Sequence, residues 1–172
     1  FLLLFLTSTI QAINPQHDID SVQQLLKHAK GIDKVNQFNR LTSLYYQKDT
    51  VMPFEYFKKA IVLAEHYGYN NQEYNAFNYL IGYYHGKAQY NRALIILKKA
   101  RQFAERKNLK KAVGFANSFI GREYLLMNNY EEAYKYQRKG LQQFTHLDYK
   151  YGLALVYERM GLIFFVKNKL KK

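Results

Sequence analysis

The chain has 172 residues and no cysteine, which excludes disulfides, thiolate metal sites and cysteine nucleophiles. Apolar residues make up 48% and aromatic residues 17%, enough to build a core and too much for a disordered chain. Twenty-six basic residues stand against 13 acidic ones, a net charge of +13. The lysines come with many Asn, Tyr, Phe and Ile and no Trp, the mixture AT-rich codons supply, so nucleic acid is not the expected partner.

The first twelve residues, Phe1 to Ala12, form an apolar run ending in a small residue. That is the pattern of the h-region and cleavage site of a secretory signal. The run is too short to span a bilayer. It lacks an initiator Met and a basic n-region, so we read it as the remnant of a signal; the alternative is an apolar capping helix. Residues 13–32 read as a polar lead-in containing Pro15, followed by a short capping helix. That helix is expected from Val22 to about Lys30, with Asp20 or Ser21 as N-cap and Gly31 as the C′ residue.

Residues 33–172 are internally repetitive, and the copies can be registered by arithmetic. Ala60, Ala100 and Gly140 are 40 apart (100−60, 140−100), as are Pro53, Ala93 and Ala133 (93−53, 133−93). Thr42, Gly82, Gly121 and Gly161 follow at 40, 39 and 40. The copies fall at about 33–70, 71–109, 110–149 and 150–172, the last one cut short. A fixed period of this size is the signature of a solenoid.

Each copy holds two amphipathic segments. In the third, Phe115, Phe119, Ile120 and Tyr124 recur at helical spacing until Asn128-Asn129 breaks the run. Tyr130, Ala133, Tyr134, Gln137, Leu141 and Phe144 form the next stripe. Short breaks of this kind suit antiparallel helix hairpins. The fold class expected is therefore all-α, an α-solenoid of antiparallel hairpins. Gly82, Gly121 and Gly161 are expected to let the two helices of a hairpin approach closely, with Ala93 and Ala133 opposite them. Gly inside a helix costs roughly 1 kcal/mol relative to Ala, so its recurrence implies a steric demand.

Gly121, Tyr124, Tyr130, Ala133 and Gly140 stand at the spacings of a tetratricopeptide repeat, and the segment Lys110–Leu147 resembles that family. Weaker copies cover Asn36–Gly68, Tyr74–Leu109 and Tyr151–Lys172. The period near 40 exceeds the family's usual length of about 34. The second copy is one residue short between Gly82 and Ala93, and Pro53 replaces a small residue in the first. The order of the signal remnant, Asp20-Ser21-Val22-Gln23-Gln24-Leu25-Leu26, Asp33-Lys34-Val35-Asn36 and Phe54-Glu55-Tyr56-Phe57-Lys58-Lys59-Ala60 is similar to the exported sensor segments of Bacteroidota two-component proteins. That resemblance implies an extracytoplasmic position and a membrane tether outside these residues. It also implies a kinase or DNA-binding output module, which is not present here.

No Gly-rich phosphate loop, nucleophile elbow or His-Glu-x-x-His pair is found. His17, His28, His66, His85 and His146 have only incidental acidic neighbours at ligand spacing, so neither metal nor cofactor is expected. Glu131-Glu132 suits the first turn of a helix, where negative charge is favourable.

Lys58-Lys59, Lys98-Lys99 and Arg138-Lys139 share one register and are expected to form a positive stripe along the second helices. Such a stripe suits anionic headgroups, a polyanion or an acidic partner, or simply solvent. The tetratricopeptide resemblance implies a concave surface lined by first-helix positions around the small residue. These are Asn39, Ser43 and Tyr46, then Tyr79, Tyr83 and Gly86, then Ser118, Arg122 and Leu125, then Glu158, Leu162 and Phe165. Tyr and Arg are enriched at binding hot spots; the alternative is that the aromatics pack between adjacent repeats.

The expected function is a non-enzymatic module binding a protein or peptide, exported, forming the sensory or scaffold part of a longer signalling protein. The alternative is a cytoplasmic peptide-responsive regulator or a free-standing scaffold. The fourth copy, with Leu162, Ile163, Phe164 and Phe165 expected to stay partly uncovered, suggests a fragment and a surface for self-association.

Overall fold

The computed structural model describes residues 15–46, 51–69 and 71–169; the expected signal remnant and residues 13–14 lie outside them. Eight helices occupy the described residues: α1 (Pro15–His28), α2 (Gly31–Tyr45), α3 (Met52–Tyr67), α4 (Gln72–Gly86), α5 (Tyr90–Arg106), α6 (Lys110–Leu126), α7 (Tyr130–His146) and α8 (Lys150–Lys169). No strand occurs among them. Each helix packs on the next, and α2, α4, α6 and α8 also pack side by side, giving an α-solenoid. We refer to these four as the first helices and to α3, α5 and α7 as the second helices. The starts of the first helices are separated by 41 (72−31), 38 (110−72) and 40 (150−110) residues.

Three-residue links explain why consecutive helices fold back on each other. The links after α4, α5, α6 and α7 place Ala88, Asn108, Asn128 and Asp148 in the left-handed region, at φ of 51, 53, 58 and 46°. The residue after each donates its backbone N–H five residues back: Gln89 to Tyr84 at 2.8 Å, and Leu109 to Ala104, Asn129 to Tyr124 and Tyr149 to Phe144 at 2.9 Å. These bonds satisfy carbonyls that a helix end leaves without an intrahelical partner. Asn and Asp tolerate the left-handed conformation better than most residues. Asn129 adds an N-cap, its side-chain oxygen accepting from the Glu132 N–H at 3.2 Å.

The first helix departs from expectation. α1 begins at Pro15, well before Val22, so Asp20 and Ser21 lie inside it. Proline's fixed φ suits the first helical position, and Asp18 complements the dipole in the first turn. Ile19 and Val22 are buried, and α1 packs on α2. Gly31 does adopt a left-handed φ of +53°, as the first residue of α2 instead of the C′ residue of α1.

An aromatic chain ties the layers together. Phe57 of α3 meets Phe77 of α4 at 5.1 Å between ring centroids. Phe77 stacks on Phe119 of α6 at 5.4 Å, and Phe115 of α6 meets Phe144 of α7 at 5.0 Å. All five rings are fully buried, each contributing about 1.5–3 kcal/mol by burial alone.

The glycines divide differently from the sequence expectation. At Gly121 an added Cβ would lie 2.6 Å from Gln137 Nε2 and 3.0 Å from the Ala133 carbonyl, so the close approach there is real. At Gly82 and Gly161 an added Cβ would meet nothing within 4 Å, so no neighbour demands those glycines. The tight contacts are elsewhere: a Cβ on Gly114 would come within 2.6 Å, and one on Gly152 within 2.5 Å, of the Phe144 ring. Phe144 is thus clamped between α6 and α8 by the absence of two side chains.

At the end of the stack, Ile163 is buried, contrary to expectation, because it faces inward on α8. Leu162, Phe164 and Phe165 remain exposed.

Gly152→Ala is expected to destabilise the fold by about 1–3 kcal/mol through overpacking against Phe144. Gly161→Ala should instead gain up to about 1 kcal/mol from helix propensity. Urea denaturation of the two variants tests the contrast, and equal shifts would contradict it.

Candidate functional site

The first helices bring Arg122, Glu123 and Arg159 into or beside one part of the core. Arg122 of α6 and Arg159 of α8 lie over the same Phe119 ring, with guanidinium carbons 4.6 and 4.9 Å from its centroid. Arg159 is only 5% exposed. Its Nη1 donates to Ser118 Oγ at 2.7 Å, and that hydroxyl donates to Gln137 Oε1 of α7 at 2.9 Å. The Gln137 amide closes the group by donating to the Ser118 carbonyl at 2.9 Å. One hydrogen-bonded chain therefore runs from α8 through α6 to α7.

The charges do not balance. Glu123 is fully buried and receives His85 Nε2 of α4 at 2.7 Å and the flank of Arg122 at 3.5 Å. Arg122 also reaches the Asn78 side-chain oxygen at 3.5 Å. Among the described residues no carboxylate lies within 4.0 Å of the Arg159 guanidinium. Burial, and then the neighbouring Arg122 charge, pull Arg159 down to about 10, so it is still a cation at neutral pH. Tyr74 and the exposed Glu158 offset part of that cost, but a buried cation with no carboxylate in contact remains expensive. An incoming carboxylate would find a planar donor set suited to paired N–H···O contacts.

The sequence-derived positions scatter around this cluster. Ser118 and Arg122 belong to it, and Glu158 is exposed one residue before Arg159. Tyr79 and Phe165 are exposed, whereas Tyr83 and Leu125 are half-buried. Asn39, Tyr46 and Ser118 were expected on an open surface and are instead buried. The reason is that successive first helices pack directly on one another, which turns these positions into helix–helix seams, with Gln137 of α7 and Arg159 of α8 bonded to Ser118. Tyr46 stacks on Tyr83 at 5.2 Å with planes 3° apart, and its hydroxyl donates to the Leu80 carbonyl. Burial, then the Tyr84 charge, push its phenol upward.

The basic ladder is largely exposed but not continuous. Lys58 is half-buried and paired with Glu55 at 2.7 Å, while Lys59, Lys98, Lys99, Arg138 and Lys139 are exposed. Several hold the ammonium group over an aromatic ring: Lys59 Nζ lies 5.4 Å from the Tyr56 centroid, Lys139 Nζ 4.7 Å from Tyr136 and Lys98 Nζ 5.9 Å from Tyr124. α3 and α5 touch, but no Cα atoms of α5 and α7 come within 8 Å, so the stripe opens there.

Arg159, Glu123, His85, Asn78 and Gln137 were not found from the sequence. A signal for two of them exists. Arg159 falls at the register of Phe119 (159−119 = 40) and Glu123 at that of Tyr84 (123−84 = 39). A charge at a position aromatic in a sister copy marks a departure from plain core packing.

Among the described residues no group of three His, Asp, Glu or Cys side chains is placed to hold a metal, and no helix is long and apolar enough to cross a membrane. No protein-family model matches the chain, and a search of curated proteins finds no match.

A second buried charge site lies at the start of α4. Glu73 is fully buried and neither carboxylate oxygen has a hydrogen-bond partner. Burial raises it from an ordinary 4.5 to about 7, with Lys111 opposing the rise and Glu65 adding to it. The folded chain therefore holds a neutral carboxyl where the unfolded chain ionises. Glu73's contribution to stability is greatest below about pH 4.5, falls as pH rises to about 7 and levels off above. The loss is about 3 kcal/mol. Glu73→Gln should flatten that slope, as measured by urea denaturation at pH 5 and pH 8; an unchanged slope would refute the assignment.

Proposed function

We propose that the chain is a non-catalytic binding module whose first-helix face takes an acidic segment of a protein or peptide partner. The observation that supports this reading most is the Arg159 guanidinium, buried over Phe119 beside Arg122 with no carboxylate of its own. Arg122, whose side chain retains 23% exposure, forms the accessible edge of the pair. Exposed Tyr79 offers aromatic contact area on the neighbouring first helix.

The wider setting is that of the exported sensory or scaffold part of a longer signal-transduction protein, built of tetratricopeptide-like hairpins. The apolar run from Phe1 to Ala12 supports export. A reporter active only outside the cytoplasm, fused after Ala12, is expected to be active. An inactive reporter would favour the cytoplasmic regulator instead.

Binding is tested with a fluorescent Glu-rich peptide and its Gln-substituted counterpart, followed by anisotropy. The acidic peptide should bind more tightly. Arg122→Gln and Arg159→Gln, checked for helix content by circular dichroism, should each weaken it by roughly tenfold or more. Equal affinity for the two peptides would overturn the proposal.

A further inference from the structure

A separate groove of about 440 Å³ lies between α2, α3 and α5 and shares no residue with the Arg122–Arg159 cluster. Its floor is apolar: Phe38 from α2, Val62 and Leu63 from α3, and Phe103 from α5. Val62 is 40% exposed, so the floor meets solvent. The volume falls in the range of clefts that hold small ligands, about 300–1,000 Å³.

The rim is cationic on both sides. Lys59 Nζ stands 5.9 Å from the Phe38 centroid, and Lys58 Nζ stands 5.8 Å from the Phe103 centroid on the opposite wall. Lys34 completes the rim from α2. Glu55 neutralises Lys58 at 2.7 Å. Among the described residues Lys34 and Lys59 have no carboxylate within 4.0 Å, so the groove keeps a positive excess. The larger groove along α7, about 850 Å³, carries Arg138 and Lys139 but is lined from α7 alone and has no facing wall.

We propose that the α2–α3–α5 groove binds a single-chain amphiphile with a carboxylate head, such as a medium-chain fatty acid. The alkyl chain covers Phe38, Val62, Leu63 and Phe103, and the carboxylate lies between Lys34 and Lys59. The apolar floor selects for a chain, and the uncompensated lysines select the sign of the head. A polar polyanion would leave the floor uncovered, and a neutral lipid would leave the lysines unanswered.

The test is calorimetric titration of the full chain with dodecanoate below its micellar concentration, with dodecyltrimethylammonium as the opposite-charge control. Dodecanoate should bind at a single site and the cationic control should not. The double variant Lys34→Gln/Lys59→Gln should weaken binding by roughly tenfold or more. Val62→Glu, a surface change that sets a negative charge in the groove, should abolish it. Unchanged affinity in both variants, equal uptake of the cationic amphiphile, or binding to phosphatidylglycerol vesicles without binding to monomeric dodecanoate would each overturn the proposal. Failure here leaves the Arg122–Arg159 reading intact, because that site is probed by peptides on the first-helix face.

Discussion

The left-handed residue in each three-residue link is the constraint on which the rest depends. Ala88, Asn108, Asn128 and Asp148 recur at intervals of 20 (108−88, 128−108, 148−128), and each closes one helix and turns the chain into the next. Because the turn is fixed by a backbone bond five residues back, helix length and facing are fixed together. The aromatic contact of Phe115 with Phe144 follows from that spacing. So does the meeting of Arg122 and Arg159 over a single ring. Inserting one residue inside one of these helices would rotate everything after it by about 100° and separate these contacts.

Helix type and hairpin order were legible because they are written in local patterns: the 3.6-residue stripes and the Asn128-Asn129 break need no knowledge of neighbours. The meaning of individual glycines was not. Gly121, Gly82 and Gly161 are the same letter at one register, but only Gly121 faces a long side chain, Gln137, from the second helix. What a glycine makes room for is a property of the partner helix, and the sequence register does not name it. The same limit applies to Asn39 and Ser118, whose positions were inferred from a resemblance and whose surroundings are set by direct packing between first helices. Arg159 and Glu123 were legible in principle, as charges at aromatic registers, but only by comparing copies position by position.

The molecule's charge is arranged as much as it is accumulated. Among the described residues two carboxylates, Glu73 and Glu123, are fully buried, one without hydrogen-bond partners and one between His85 and Arg122. Lys59 and Lys139, in contrast, are exposed and hold their ammonium groups over the Tyr56 and Tyr136 rings, at 5.4 and 4.7 Å from the centroids. The buried guanidinium of Arg159 is therefore an exception to how this chain handles cations, and its hydrogen bond to Ser118 shows that it is held in position.

The clamp on Phe144 has a consequence for how the molecule comes apart. In a stack of helix pairs, each layer is stabilised chiefly by its neighbours, and opening proceeds from the ends. Phe144 belongs to α7 yet fills space left by Gly114 of α6 and Gly152 of α8, and the Ser118–Gln137–Arg159 chain joins the same three helices by polar bonds. These helices are thus welded twice, by shape and by hydrogen bonds. The three constitute one cooperative folding unit, and fraying from the C-terminal side stops being gradual once it reaches the start of α8.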